Sequence, residues 1–222
     1  MSELILSDYT IKILRNFSDI SPGMRFKRGH VLTSIAPSKS IYGKAEIPEL
    51  IPDDFAIADV PKFLTALSLF DSPKIEVGEK SLFVENDKLK LKYVFTNPEN
   101  IIGPPEKELT MNNVKVNFEM KADALSKLQK ALGILSQPEI AIVGDGENIF
   151  LETFNTKSVN SNKFSVNVGI TPHKFKFIFK TENFKLIPDN YQVSVSIPAV
   201  TKFVGSIATY WVAMEKDSKF TE

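Results

Sequence analysis

His30 and His173 are the only imidazoles in the chain, and neither has a ligand-like partner at zinc or catalytic spacing. Both read as loop or strand-end residues. Cysteine is absent, so disulfides and cysteine-ligated zinc are impossible. Asp53 and Asp54 form an acidic pair that, with Glu46, could hold magnesium in a phosphoesterase; the plainer reading is a strand start blunted by charge. Gly144-Asp145-Gly146 reads as a hairpin turn rather than a phosphate cradle, and neither a glycine-rich phosphate loop nor a serine elbow occurs. The expectation is a protein that is not an enzyme and needs no metal or cofactor.

Lysine is what remains to do chemistry. Of 27 basic residues, only Arg15, Arg25 and Arg28 are arginine. Arginine's planar fork suits bidentate reading of guanine, whereas lysine is a mobile point charge. Any role with nucleic acid is therefore phosphate attraction rather than base readout; genome composition alone is the competing source of so much lysine. The 27 acidic residues balance the basic ones, which argues against a uniformly positive coat but leaves local patches open.

These side chains need a scaffold. A length of 222 residues with 43% apolar and 24% charged content fits one large folded domain or two small ones. No apolar run approaches the roughly 18 residues of a membrane span, and no basic leader with an apolar stretch opens the chain, so neither a membrane nor secretion is expected. The stretch from Thr96 to Glu108 holds three prolines, one glycine and little periodicity, which marks a boundary. The expected division is a first domain over 1–96, a linker over 97–113 and a second domain over 114–222.

The two halves repeat one order. In the first, a strand at Glu3–Leu6 precedes a helix from Asp8 to about Phe17 with Ile13, Leu14 and Phe17 on one face. Four strands, a helix over Val60–Phe70 capped by Asp59, and three strands ending in Lys88–Phe95 follow. In the second, a strand at Val114–Met120 precedes a helix from Asp123 to about Leu135, then four strands, a short helix over Thr181–Ile187 and three more strands. Strand, helix, strands, helix, strands in both halves points to an internal duplication with an α+β fold.

Several segments, in this order and spacing, carry a likeness: Lys12-Ile13-Leu14-Arg15-Asn16-Phe17, Met24-Arg25-Phe26-Lys27-Arg28-Gly29, Phe63-Leu64-Thr65-Ala66-Leu67-Ser68-Leu69, Asn183 to Tyr191, and Tyr210 to Ser218. Over essentially its whole length the chain resembles the DNA sliding clamps, or processivity factors, of T-even-type bacteriophages. The resemblance implies a DNA-clamp fold of two similar domains, each with two helices packed on antiparallel sheets, assembling head to tail into a trimeric ring. Twelve helices would line the hole, and subunits would join by edge strands, here Lys88–Phe95 and Phe164–Val168. Duplex DNA would pass through without regard to sequence.

With that likeness, the helix faces turned from the sheets become the DNA surface: Lys12, Arg15, Lys127 and Lys130 foremost, with Lys62, Lys121 and Lys185 behind them. Summed over the four expected helical segments, the surplus is four positive charges per subunit. The bland alternative is that these are solvated faces of amphipathic helices. The resemblance also implies an apolar pocket for partner peptides, placed here at Ile35, Ile41, Ile101, Ile102 and Met214. Its users would be DNA polymerase, the clamp loader, and a late-transcription sigma factor and coactivator, in the cytoplasm of the infected bacterial host. The alternative function is a scaffold of the same duplicated fold that never encircles DNA.

Overall fold

The computed structural model describes residues 2–105, 107, 109–158, 160–197 and 200–221; of the expected linker, Glu106 and Glu108 lie outside the described residues. Contacts group the chain into two compact units, Met1–Glu108 and Leu109–Glu222.

The first unit runs β1 (Ser2–Leu4), α1 (Asp8–Ile20), β2 (Met24–Phe26), β3 (Gly29–Ile35), β4 (Ile41–Ile51), β5 (Phe55–Ile57), α2 (Val60–Leu67), β6 (Ile75–Val77), β7 (Ser81–Glu85) and β8 (Lys90–Val94). Helix α1 begins where Ser7 accepts the Thr10 N–H at 3.3 Å, satisfying one orphan donor of the first turn. Glu49, on β4, clamps that start from outside. It accepts the Ser7 N–H at 2.6 Å and the Thr10 hydroxyl. Ile13, Leu14, Phe17 and Ile20 then bury one stripe of the helix against β3 and β4. Gly43 on β4 makes room for it, since a Cβ there would sit 2.9 Å from the Phe17 ring.

Burial opposes ionisation of Glu49, but the hydrogen bonds from Ser7 and Thr10 outweigh it and hold this carboxyl below its ordinary value. A carboxyl depressed in the folded state stabilises above its unfolded value, about 4.3, and ceases to as pH falls through the folded one. The melting temperature should therefore fall between roughly pH 5 and pH 3. Glu49→Gln should melt lower at neutral pH and show a shallower acid decline; parallel acid curves for the two proteins would dismiss this role.

Helix α2 is capped by Asp59, which accepts the Lys62 N–H at 2.9 Å, with Pro61 in the first turn. It stops at Leu67 rather than Phe70, yet Phe70 is buried all the same. β1, β6, β7 and β8 form an antiparallel sheet in the spatial order β1-β6-β7-β8, which leaves β8 as an edge. Tyr93 anchors that edge: its ring meets Phe63 of α2 edge-on at 5.1 Å, and its hydroxyl donates to the Asp59 carbonyl at 2.9 Å.

The second unit runs β9 (Val114–Met120), α3 (Ala122–Leu135), β10 (Glu139–Asp145), β11 (Asn148–Phe154), β12 (Phe164–Ile170), β13 (Lys174–Lys180), β14 (Tyr191–Ser196), β15 (Val200–Val204), β16 (Thr209–Ala213) and β17 (Lys219–Thr221). The first of its sheets has the order β12-β11-β10-β13-β17, with β12 at one edge. β9, β14, β15 and β16 pair in succession as antiparallel neighbours. Helix α3 packs on β11 and β12 and buries Ala124, Leu125, Leu128 and Ala131. Its first N–H is met from a distance, by the Asn190 side chain at 2.9 Å from Ala122 N. Aromatic residues dominate this core: Phe177, Phe179, Tyr191, Phe203 and Tyr210 are fully buried, and Trp211 is buried on the other face of β16.

The α+β class stands, and the repeated order stands with two departures, the added strand β17 and a missing helix. Among the described residues there are three α-helices, not four: the expected helix over 181–187 is a single 3-10 turn at Thr181–Asn183. Phe184, Leu186 and Ile187 are all buried while Lys185 is exposed. That i, i+2, i+3 pattern suits an irregular chain better than one helical stripe. Gln129 of α3 also takes the Leu186 carbonyl at 2.8 Å, and the Tyr191 hydroxyl takes that of Ile187 at 2.6 Å. Both carbonyls would be orphans at the end of a helix over 181–187 as well, and side chains satisfy them here. Asp189 fastens the following turn, accepting from Ser206 N at 2.6 Å and Ile207 N at 3.1 Å.

Candidate nucleic-acid interface and docking cleft

Asp8, Lys12, Arg15 and Asp19 are all exposed on α1, at i, i+4, i+7 and i+11, and so share the face opposite Ile13 and Phe17. On α3 the exposed residues at the same offsets are Asp123, Lys127, Lys130 and Ile134. Acid, base, base at i, i+4, i+7 therefore recurs in both units. This repeat was readable in the sequence, but only after the two helices were set in register.

The electrostatics are milder than the expected surplus of four. Helix α1 continues three residues beyond Phe17, which brings Asp19 onto the cationic face. Lys127 is paired with Asp123 at 2.7 Å, one turn earlier, and Lys121 with Glu119 at 2.5 Å. Adding Asp19 and Glu119 to the same four segments removes two charges and leaves two positive. Lys130 is exposed and, among the described residues, has no carboxylate partner. Lys62 is exposed on the first turn of α2, Lys121 is the N-cap of α3, and Lys185 is exposed just beyond the 3-10 turn. Between α1 and α2, Arg15, Ser18, Asp19, Thr65 and Ser68 line an open polar cleft of about 370 Å³.

The residues expected to form a partner pocket are not alike. Ile41 is 1% exposed in β4 and Ile35 is 8% exposed in β3, so both are core of the β3–β4 hairpin rather than a docking surface. Alternation puts Ile41 on the face of β4 that Gly43 turns to α1, whereas Ile35, level with Tyr42 and next to Ser34, points to the opposite face of the hairpin and is buried there. Ile101 and Ile102 do line a cleft of about 340 Å³ with Ser21, Pro22, Gly23, Pro37, Ala58, Thr96 and Asn100. Ile101 forms its wall at 7% exposure, while Ile102 is 44% exposed. Met214 is half-buried just after β16, in the second unit.

Nothing else gathers into a reactive centre among the described residues, where no three metal-capable side chains converge. Asp54 is occupied: Lys27 at 2.6 Å and the Arg28 N–H at 2.8 Å hold its carboxyl below the ordinary value. His30 opens β3 in an exposed position, and His173 lies in the turn before β13 beside Phe220. Gly146, at φ 102°, turns the chain between β10 and β11, where Asp145 accepts the Glu147 and Asn148 N–H groups, a hairpin connection as expected. No described helix is long and apolar enough to cross a membrane.

Known proteins bear on both units. Residues 7–101 match the family model described as "DNA polymerase processivity factor", and residues 117–216 match "gp45 sliding clamp, C terminal". The sliding clamp of Vibrio phage KVP40 is 28% identical over 217 residues, covering 95% of this chain and 98% of that relative. That of Enterobacteria phage T4 is 28% identical over 223 residues, covering 96% and 97%. Among solved structures, "A. fulgidus PCNA" bound to the C-terminal region of FEN-1 has a TM-score of 0.68 at 15% identity over the full length of both chains. The DNA polymerase III subunit beta of Pseudomonas aeruginosa scores 0.66 at 10% identity, over all of this chain and 66% of its own. At such low identity these last two speak for the fold alone. With both units matched and near-complete alignment to phage clamps, the chain belongs to the family of sliding clamps, the DNA polymerase processivity factors.

Proposed function

We propose that this clamp is a homotrimeric ring around duplex DNA, built of two domains per subunit over 1–96 and 114–222 with a linker over 97–113. The observation that carries it is the pair of open edges, β8 in the first unit and β12 in the second. Unpaired edges invite another chain, and a head-to-tail contact whose rotation closes leaves no edge over. Lys12, Arg15, Lys127 and Lys130 face the DNA, with Lys62, Lys121 and Lys185 contributing less. Contacts of this kind bind phosphate without fixing a register, which suits a protein that slides. The cleft at Ile101 and Ile102 takes partner peptides from the polymerase, the clamp loader, and the late-transcription sigma factor and coactivator, in the cytoplasm of the infected cell. The protein acts as a tether and not as an enzyme.

Topology tests the ring. Loaded protein should stay on circular DNA and leave when the circle is cut, and its mass in solution should be about three times 24.9 kDa. A chain that remains monomeric at high concentration, or that binds linear and circular DNA alike, would favour the scaffold that never encircles DNA. The charge assignment has its own test. Lys127→Glu with Lys130→Glu should leave the trimer intact and lower processive synthesis about tenfold at moderate salt, through loss of phosphate contacts. Unaltered product lengths would strike both residues from the DNA surface.

A further inference from the structure

The segment entering the docking cleft is held, although its composition reads as loose. Thr96 N–H donates to the Ala56 carbonyl at 2.9 Å. One 3-10 turn follows at Pro98–Asn100, its start fixed by the Asn97 side chain accepting the Glu99 N–H at 3.0 Å. Beyond the turn, the Arg25 guanidinium of β2 donates from Nη2 to the Ile101 carbonyl. Gly103 lies flat on that guanidinium: a Cβ there would come within 2.8 Å of Nη1. Gly23 backs Ile101 from the other side, where a Cβ would meet its side chain at 3.2 Å.

Arg25 is half-buried with little to satisfy it. Among the described residues it has no carboxylate partner, and the Ile101 carbonyl is its one side-chain hydrogen-bond acceptor, with Nε buried and unmatched. A half-buried guanidinium left so sparsely satisfied costs stability unless the bond it does make is worth keeping. That bond orients the peptide unit between Ile101 and Ile102. On one side of it Ile101 turns inward, and on the other Ile102 stands out at the cleft.

We infer that Arg25 is a positioning residue for the docking cleft: it fixes the strap 96–103 in the conformation that presents Ile102, so an incoming apolar peptide meets an ordered wall. The inference rests on the reading of this cleft as the peptide site. Ordering the strap before binding removes an entropic cost that each partner would otherwise meet on association. A methionine at position 25 fills similar space but cannot donate. A lysine can still reach for the carbonyl with one N–H.

The experiment uses the full-length assembled protein and, as probe, a fluorescently labelled synthetic peptide of the C-terminal residues of the cognate replicative polymerase. Arg25→Met should weaken the peptide about tenfold, the loss of one charge-assisted hydrogen bond, and speed amide exchange at Ile102 and Gly103. Arg25→Lys should recover most of both, and the mass and melting temperature should show whether the fold is intact. If the methionine variant folds poorly, Gly103→Ala lifts the strap from the guanidinium and should weaken the peptide likewise. Ile102→Asp separates the two ideas. Should it abolish binding while Arg25→Met leaves affinity unchanged, the cleft stands and the role of Arg25 is overturned. Should Ile102→Asp change nothing, the cleft is not the peptide site and this inference falls with it.

Discussion

Proline at position 165 should reduce the assembled protein to folded single chains of 24.9 kDa. The argument starts at the neighbouring residue. Phe164 N–H donates to Thr153 Oγ1 at 3.1 Å, toward β11 and the interior of the sheet. Along a strand the N–H groups alternate sides, so that of Ser165 points to the open edge of β12. Ser165→Pro removes an outward donor and sets a ring where a neighbouring strand must approach. Within its own sheet an edge strand tolerates proline, because the lost donor faced away. Far-ultraviolet dichroism should therefore be preserved while sedimentation reports the monomer and retention on circular DNA disappears. A trimer that persists at micromolar concentration would show that β12 is not the joint.

Phe17→Ala should produce the largest loss of stability in the first unit. Phe17 is fully buried, wedged on α1 against Gly43, and its carbonyl accepts the Ser34 hydroxyl at 2.9 Å from β3. Emptying a site of that size costs about 3–5 kcal/mol, the sum of lost burial and the cavity left behind. Set against a typical 5–15 kcal/mol for a domain, that is a large share. The helix concerned carries Lys12 and Arg15, so processive synthesis should fail at temperatures where the wild type still works. Calorimetry decides: a cost below about 1 kcal/mol would mean the surrounding core closes over the gap.

Sequence periodicity made α1 and α3 legible because each buries one stripe and exposes another. The edges came from the family likeness alone, and β8 and β12 do close their sheets near the ranges it implied. What escaped depended on partners distant in sequence. Helix α1 runs past the expected end near Phe17: Ser18 returns its hydroxyl to the Arg15 carbonyl at 2.7 Å and the helix continues to Ile20. The lost fourth helix gives way to a chain whose Phe184, Leu186 and Ile187 are all buried, a demand set by the core around them and not by local spacing. Ile35 and Ile41 looked available because apolar residues in a hairpin carry no sign of which face is covered. β17 went unannounced: it is three residues at the end of the chain, paired with β13 some 45 positions earlier. Likewise Arg25 and Ile101 stand 76 positions apart, and nothing local in either segment discloses the bond.

On the proposed DNA surface, the Asp123–Lys127 pair of α3 has a consequence for motion along the duplex. A lysine that already leans on a fixed carboxylate gives up one anion when it takes another, so each exchange with a passing phosphate is nearly balanced in energy. Exposed pairs of this sort are worth only about 0–1 kcal/mol, small enough to break and remake at thermal rates. A lining of bare cations would hold each phosphate in turn and act as a brake; pairing Lys127 with its own counterion lowers that friction at one of the four foremost positions.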